Sequence, residues 1–173
     1  MNALSVVAAC HYYGVDDEGI KKGIEAFGGA GRRFEKLGEF NGFTLVDDYA
    51  HHPTEISATL NAAKQLDFKR VIAVFQPFTF SRTELLKDEF IEALSIADKV
   101  ILTPIMGSRE VNTTGISSEH IAAGLKDAVC VDSLDAAAQK IIELSKKGDI
   151  VITMGGGDIY KAAYAVRKAL TDC

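Results

Sequence analysis

The chain has 173 residues, in which 24 acidic residues outnumber 19 lysines and arginines and give a formal net charge of −5. Hydrophobic residues make up 47% and charged residues 25%, which is typical of a globular protein. The acidic balance argues against a general nucleic-acid binder, which needs a basic surplus on one face. No apolar run approaches the roughly 20 residues of a membrane-spanning helix.

Three widely spaced cysteines match neither a disulfide framework nor a metal-binding motif. We therefore expect reduced thiols and a cytoplasmic protein. The same composition leads us to expect neither a nucleic-acid partner nor a membrane partner.

Residues 1–27 predict two helices. Apolar residues recur at helical spacing from Leu4 to His11, and Gly14 is placed to end that helix. A second helix is predicted over residues 17–27, with Asp16 or Asp17 as its N-cap. Three glycines within residues 28–31 then predict a joint. The chain is accordingly expected to divide into residues 1–30 and 31–173.

Beyond the joint, strand and helix patterns alternate. A hairpin is predicted over residues 38–46, turning at Asn41-Gly42, and a helix over residues 54–66. Further strands are predicted over residues 71–75, 100–103, 128–131 and 150–154, and further helices over residues 83–96, 118–125, 135–146 and 159–170. The strands are nearly continuous apolar runs, which is typical of a sheet covered on both faces. This pattern predicts a three-layer α/β/α domain with a mostly parallel sheet.

In such a sheet, ligands bind beyond the carboxyl ends of the strands. That rule selects four segments in which polar residues and glycines also cluster: residues 47–54, 76–83, 104–114 and 155–158. The coincidence is the main evidence from the residues themselves for a site at this edge.

The first segment carries two acids and two histidines, in the order Asp47, Asp48, His51, His52. Its spacing fits no common metal motif, so metal binding is the weaker interpretation. One alternative is purely structural, with an aspartate capping the turn and a histidine bonded to it. We favour a contact with phosphate or nucleotide, because the helix that begins at Pro53 presents an N-terminus that favours anions.

The other segments leave alternatives open. Arg82 offers a planar fork suited to a carboxylate or phosphate, or is a solvated arginine behind Ser81 as N-cap. The polar loop with Arg109, Glu110 and Asn112 is interpreted as solvated. Glycines 155–157 permit either a close ligand approach or a tight strand–helix turn.

Four motifs in order resemble the Mur ligases over essentially the whole chain. They are Gly31-Arg32-Arg33-Phe34-Glu35, Asp47 to Glu55 (DDYAHHPTE), Phe75-Gln76-Pro77 with Ser81-Arg82-Thr83, and Gly155 to Ile159 (GGGDI). The resemblance implies a Rossmann-like C-terminal domain, preceded in residues 1–30 by helices of a central ATP-binding domain. In these enzymes ATP phosphorylates a carboxylate of a UDP-sugar, and the amine of an amino acid attacks the acyl phosphate.

The resemblance also assigns residues. Arg33 would contact the phosphates of ATP and Asp48 its ribose, while His51 would line the nucleotide site and Asn2 would lie near the adenine. Arg82 would hold the carboxylate of the amino acid. Phe78 stands in the amino-acid pocket where the family usually has histidine, which leaves amino-acid choice uncertain. The remaining candidates for the active-site loop are His52, Gly156 and Asp158. No metal ligand is assigned.

The branch of the family with the most similar motifs joins L-alanine to UDP-N-acetylmuramate. The implied cofactor is ATP with Mg²⁺, bound mainly by the central domain, and the implied partners include the N-terminal and central domains. We expect these residues alone not to turn over, because they lack a phosphate-binding loop. Two alternatives stay open: a recycling ligase that adds a tripeptide to the same sugar, and a stand-alone Rossmann-like module that binds a ligand without catalysis.

Overall fold

The computed structural model of the protein describes residues 2–27 and 30–171, without the side chains of residues 2 and 3. Two compact units divide between Gly31 and Arg32. Within the described residues, no helix has the length and apolarity needed to cross a membrane.

The first unit contains the two predicted helices, α1 (Asn2–Tyr12) and α2 (Asp17–Ala26). Gly14 follows α1 with φ of +79°, a conformation that suits glycine at a helix end. Asp16 is the N-cap of α2, and its Oδ1 accepts a 2.8 Å hydrogen bond from the Gly19 N–H. The adenine contact expected of Asn2 lies outside the described residues, because its side chain is among those left undescribed. Whether this unit is part of a central ATP-binding domain stays a prediction.

The second unit is built on a six-stranded sheet. Its strands are β1 (Glu35–Phe40), β2 (Phe43–Asp48), β3 (Arg70–Phe75), β4 (Lys99–Leu102), β5 (Ala128–Cys130) and β6 (Asp149–Met154). They lie in the order β1-β2-β6-β3-β4-β5, and every neighbouring pair is parallel except the hairpin β1–β2. The hairpin turns at Asn41 and Gly42, whose φ angles are 49° and 83°. A type I′ turn requires a positive φ at both of these positions.

Helices cover both faces of this sheet. They are α3 (Pro53–Lys64), α4 (Phe80–Leu85), α5 (Lys87–Leu94), α6 (Ser118–Ala122), α7 (Leu134–Leu144) and α8 (Tyr160–Thr171). Helices α3, α5 and α6 share one buried cluster with the sheet, and α7 and α8 share the other. Alternate residues of β6 enter the two clusters, with Ile150 and Ile152 in the first and Val151 in the second. The predicted three-layer, mostly parallel fold is confirmed.

One predicted helix is wrong. The helix expected over residues 83–96 is two helices, because α4 begins earlier and the chain breaks at Leu86, where φ is −108°. Helix α5 packs Phe90 and Leu94 into the core, whereas α4 continues directly from the carboxyl edge and leaves Leu85 79% exposed. Apolar periodicity could not reveal the break, since both helices carry apolar residues at compatible spacing.

Candidate functional site

The four predicted segments follow the ends of β2, β3, β4 and β6, as expected. Strand β6 lies between β2 and β3. Its following helix α8 covers one face of the sheet, while α3 and α5, which follow β2 and β3, cover the other. Adjacent strands whose connections leave toward opposite faces form a crevice at their carboxyl ends, which is where α/β sheets bind ligands.

Arg32 is locked into this edge. Its Nε lies 2.8 Å from Asp47 Oδ2, and its terminal nitrogens donate to the carbonyl oxygens of Gly155 (2.7 Å) and Gly157 (3.3 Å). Its guanidinium carbon also lies 4.7 Å from the ring centroid of Tyr160. Arg32 therefore ties the chain after the joint to the glycine loop, which makes it structural.

Asp47 is the buried partner of that arginine. Burial raises its pKa, against the lowering effect of hydrogen bonds from Thr153 Oγ1 (2.6 Å) and from Arg32. The sequence grouped Asp47 with Asp48 as site acids. The structure instead places Asp47 inside the sheet, 1% exposed.

Arg33 differs from its neighbour. It is exposed, and its guanidinium lies 5.5 Å from the Tyr49 ring centroid. It is near enough to Glu55 to contribute to lowering that carboxyl's pKa. Of the two arginines, Arg33 is the one whose position leaves it available to a ligand. Its contact with the phosphates of ATP stays a prediction.

Asp48 holds the chain at the end of β2. One carboxylate oxygen accepts the Phe34 N–H and the other accepts the Ala50 N–H, each at 2.7 Å. The residue is 7% exposed. The ribose contact stays a prediction, and it would have to use the remaining lone pairs of a carboxylate that already accepts two backbone hydrogen bonds.

The two histidines sit at the start of α3. His51 Nδ1 lies 3.0 Å from the Tyr49 carbonyl oxygen, which can only accept, so Nδ1 is the donor in this contact. His52 is the N-cap of α3, and its Nδ1 accepts the Thr54 N–H at 3.4 Å. Glu55 completes the cap by accepting the N–H groups of both histidines. Burial raises the pKa of Glu55, but those two bonds and nearby positive charge hold it below its usual value.

Three predicted site residues line one open cleft of about 750 Å³: His51, His52 and Arg82. Its other lining residues are Glu55, Thr79, Ser81, Leu85, Leu86 and Glu110. Arg82 is half-buried here, and its guanidinium donates no hydrogen bond within the described part of the chain. A cleft with one unbonded guanidinium and two histidines suits a small ligand that carries a carboxylate.

The other predicted residues lie outside that lining. Phe78 pairs through its backbone with Met106 beside the cleft. Gly156 packs under the His51 ring, where an added Cβ would meet Cγ at 3.2 Å. The Asp158 N–H donates a 2.9 Å hydrogen bond to Gln76 Oε1, and the Asp158 carboxylate pairs with Lys161 at 3.0 Å. Gln76 thus anchors the glycine loop, a role that the sequence did not reveal.

Glu110 lies in an exposed loop, as expected from sequence, but it also makes a long-range contact that the sequence did not predict. Its carboxylate accepts hydrogen bonds from the Ser81 N–H at 2.8 Å and the Ser81 hydroxyl at 2.6 Å. These bonds lower the pKa of Glu110, and the positive charge of Arg82 adds to the effect. Ser81 is also not the N-cap of α4, because the helix begins one residue earlier, at Phe80, behind Thr79. The contact joins residues 29 positions apart, which local sequence patterns cannot indicate.

No group of three or more histidines, cysteines, aspartates or glutamates in the described residues could hold a metal ion. A family model described as "Mur ligase, glutamate ligase domain" matches residues 32–157. The chain belongs to the Mur ligase family. The matched range begins at Arg32, the first residue of the second compact unit, and ends within the glycine loop that Arg32 holds.

This Mur ligase chain is similar to longer enzymes. A UDP-N-acetylmuramate–L-alanine ligase from Lachnospira eligens is 49% identical over 171 residues, which cover 96% of this chain and 37% of that protein. The solved UDP-N-acetylmuramate–alanine ligase of Thermotoga maritima is 26% identical with a TM-score of 0.80, covering 99% of this chain and 37% of that one. A murein peptide ligase from Psychrobacter arcticus is 27% identical with a TM-score of 0.70, covering 99% and 36%. The chain thus spans little more than a third of the length of these relatives.

Proposed function

We propose that this chain is the C-terminal part of an ATP-dependent ligase that joins L-alanine to UDP-N-acetylmuramate in cytoplasmic peptidoglycan synthesis. The observation that carries the proposal is the cleft in which Arg82 stands unbonded beside two histidines. The similarity of the chain to alanine ligases, one of which is 49% identical, supports the choice of substrate.

Arg82 binds the amino acid. Its fork binds the alanine carboxylate in two parallel hydrogen bonds, so that the amine is held at a fixed distance and direction. In the reaction ATP supplies an acyl phosphate on the sugar's carboxylate. The amine nitrogen bonds to the acyl carbon, the bond to phosphate breaks, and the amine loses a proton. Positioning of this kind contributes through proximity rather than through new chemistry.

ATP binds in the crevice beside β2. Arg33 contacts the phosphates of ATP, and its exposed position above Tyr49 permits this. His51 lines the same site with its free Nε2, and Asp48 faces the ribose through its remaining lone pairs. Several acids among the described residues of this unit accept cap hydrogen bonds or form ion pairs, and none of the described acids belongs to a group that could hold a metal ion. We propose that Mg²⁺ is bound mainly by the central ATP-binding domain that the family resemblance implies.

The test uses the full-length ligase that contains these residues, assayed for phosphate release with ATP, UDP-N-acetylmuramate and L-alanine. Arg82→Met should raise the KM for L-alanine roughly 30- to 5000-fold, corresponding to about 2–5 kcal/mol for losing a charge partner. The KM for ATP should stay unchanged. Arg167→Met, an exposed arginine on α8, is the matched control. An unaltered KM for L-alanine in Arg82→Met, or no turnover of L-alanine by the intact enzyme, contradicts the proposal.

The 173-residue chain alone should release no phosphate from the same mixture. The reason is that its residues hold neither a phosphate-binding loop nor a group of metal ligands within the part of the chain that the structure describes. Measured turnover by this chain would contradict that expectation.

A second candidate is a ligase that adds a tripeptide to the same sugar. The cleft of about 750 Å³ is much larger than alanine needs, and the murein peptide ligase of Psychrobacter arcticus is similar over nearly the whole chain. Comparing kcat/KM for L-alanine and for the tripeptide on the intact enzyme separates the two. A higher value for the tripeptide would make this candidate the function.

A further inference from the structure

The segment after β4 is fastened to the start of α4 by several separate contacts. The Thr79 N–H donates to the Met106 carbonyl oxygen at 2.9 Å, and Phe78 and Met106 form an isolated parallel bridge. Gly107 packs against the Phe80 ring so closely that an added Cβ would collide with it. Residues 106–110 and 78–81 therefore form one contact surface.

Within residues 106–110, Glu110 is the residue that lines the cleft. Its carboxylate takes both the backbone N–H and the hydroxyl of Ser81. Its own N–H donates to the Gly107 carbonyl oxygen at 2.9 Å, which fixes the turn that carries it. The turn that carries Glu110 is therefore fixed independently of the contact with Ser81.

Helix α4 needs such an external acceptor. It has only six residues, and its N-cap Thr79 forms no side-chain cap bond. Thr79 also has φ of 64° and ψ of 141°, a conformation that a β-branched residue adopts only when its surroundings enforce it. A short helix entered through a strained residue loses its first turn readily unless its free N–H groups are bonded.

Arg82 is the next residue after Ser81. The orientation of its guanidinium in the cleft depends on the backbone of the first turn of α4, and Glu110 bonds that turn. Both Glu110 and Arg82 line the same cleft, but the Glu110 carboxylate bonds Ser81 and forms no direct ion pair with Arg82. The Arg82 guanidinium therefore stays unbonded, and its position depends on the backbone of α4.

We propose that Glu110 is a positioning residue for amino-acid binding, which acts through Ser81 to hold Arg82 in the orientation that receives the substrate carboxylate. This inference rests on the proposed function, in which Arg82 binds the amino acid. It assigns to the loop after β4 a part in substrate selection, although the loop's carboxylate touches no substrate.

The test compares three variants of the full-length ligase. Glu110→Ala should raise the KM for L-alanine roughly 10- to 100-fold, the scale expected when a binding group is misplaced by about 1 Å. Ser81→Ala, which removes one of the two bonds, should have a smaller effect in the same direction. Glu110→Gln should stay within about fivefold of wild type, because its amide can still accept from the Ser81 N–H and donate to the hydroxyl. The KM for ATP should be unchanged in all three.

Each contrary outcome is distinct. If Glu110→Gln is as impaired as Glu110→Ala, the charge itself contacts the substrate and the positioning role is wrong. If Glu110→Ala leaves the KM for L-alanine unchanged, or raises the KM of both substrates together with a lower midpoint of thermal unfolding, the role is also wrong. Glu84→Ala, an exposed acid on the same helix, is the matched control.

The Arg82→Met enzyme separates this inference from the function beneath it. If Arg82→Met leaves the KM for L-alanine unaltered, the proposed function fails first. If Arg82→Met raises that KM and Glu110→Ala does not, only the positioning role fails. A readout without activity comes from the 173-residue chain. The Ser81 amide resonance should shift with the ionisation of Glu110, below the usual glutamate range, and should lose that titration in Glu110→Gln.

Discussion

Arg32 and Asp47 form an ion pair 2.8 Å long in which only 2% of the aspartate side chain is exposed. The arginine also bonds the carbonyl oxygens of Gly155 and Gly157. One side chain thereby fastens the start of the domain to the loop at the end of β6. The adjacent Arg33 has no part in this network, so the two arginines allow a direct comparison.

Arg32→Met should lower the free energy of unfolding by about 3–5 kcal/mol, because it leaves a buried carboxylate without its partner. Arg33→Met should change it by less than about 0.5 kcal/mol, as for an exposed side chain. Urea denaturation of the two variants measures both values. Equal losses in the two would contradict the structural role of Arg32.

The Arg32→Met defect should also depend on pH. Burial raises the pKa of Asp47, so the folded state binds this proton more readily than the unfolded chain and the group's contribution to stability falls as pH rises. Removing the guanidinium raises that pKa further. The stability gap between Arg32→Met and wild type should therefore narrow from about pH 7.5 to about pH 5. A gap that is constant or widens toward low pH contradicts this account.

Most of the fold could be predicted from sequence because its signals are local. The buried runs of β3 and β6 and the Asn41-Gly42 turn each specify their own element. The insertion of β6 between β2 and β3 was not predicted, because periodicity identifies strands without identifying their neighbours. The division of residues 80–94 into α4 and α5 was missed for a similar reason, since the break depends on what each helix contacts.

The site could be predicted only in part. Strand ends marked the right segments, and His51, His52 and Arg82 do share a cleft. Local sequence patterns could not distinguish Arg32 from Arg33, and only the family resemblance selected Arg33, since the difference lies in carbonyl groups more than 120 positions away. The contact of Glu110 was missed because its partner Ser81 lies 29 positions away, in α4. In both cases the deciding hydrogen bond is long-range and leaves no mark on the surrounding residues.

Asp98 should make the free energy of unfolding fall measurably at acid pH, and this fall is called the acid limb of the stability curve. One of its oxygens accepts the Val71 N–H at 2.7 Å and lies 2.7 Å from Lys64 Nζ. Burial raises its pKa, but these partners outweigh burial and hold it below its usual value. Its stabilisation is therefore complete above the unfolded value of about 3.9 and is lost as pH falls through the lower folded value.

Asp98→Asn keeps the acceptor for Val71 but removes the charge. The variant should be less stable than wild type at neutral pH and should approach it as the pH falls below about 4. Lys64→Met should reduce the same limb from the other partner. Chemical denaturation across this range measures the effect, and parallel curves for wild type and Asp98→Asn would show that Asp98 contributes no acid limb.

Two adjacent glycines should respond differently to alanine. A Cβ at Gly157 would collide with Met106 Sδ and lie 2.8 Å from Gln76 Oε1, the anchor of the loop. A Cβ at Gly156 would lie 3.2 Å from the His51 ring, which can shift. Gly157→Ala should lower the free energy of unfolding by about 1–3 kcal/mol, as overpacking does, and Gly156→Ala by less.

The same pair should differ in its effect on His51. Gly156→Ala should move the His51 ring resonances in an NMR spectrum with little loss of stability, whereas Gly157→Ala should disturb Met106 and Gln76. If Gly156→Ala is the more destabilising variant, the His51 ring is held more rigidly than its contacts with Tyr49 and Glu55 indicate.

Thr79 should be more stable as glycine. Its φ of 64° with ψ of 141° lies in a region that glycine populates freely and that costs other residues about 1–3 kcal/mol. Glycine loses about 0.4–1 kcal/mol through the greater entropy of the unfolded chain. Thr79→Gly should therefore raise the free energy of unfolding by about 0.5–2 kcal/mol.

Thr83→Gly is the matched control for Thr79→Gly. Thr83 is fully buried in α4, and its hydroxyl donates to the Thr79 carbonyl oxygen at 2.7 Å. Glycine at this helical position should destabilise by about 1–2 kcal/mol, from the lost hydrogen bond and the poorer helix propensity. Thermal and urea unfolding of both variants should give opposite signs. A loss of stability in Thr79→Gly would mean that the threonine side chain is held by contacts stronger than its backbone strain.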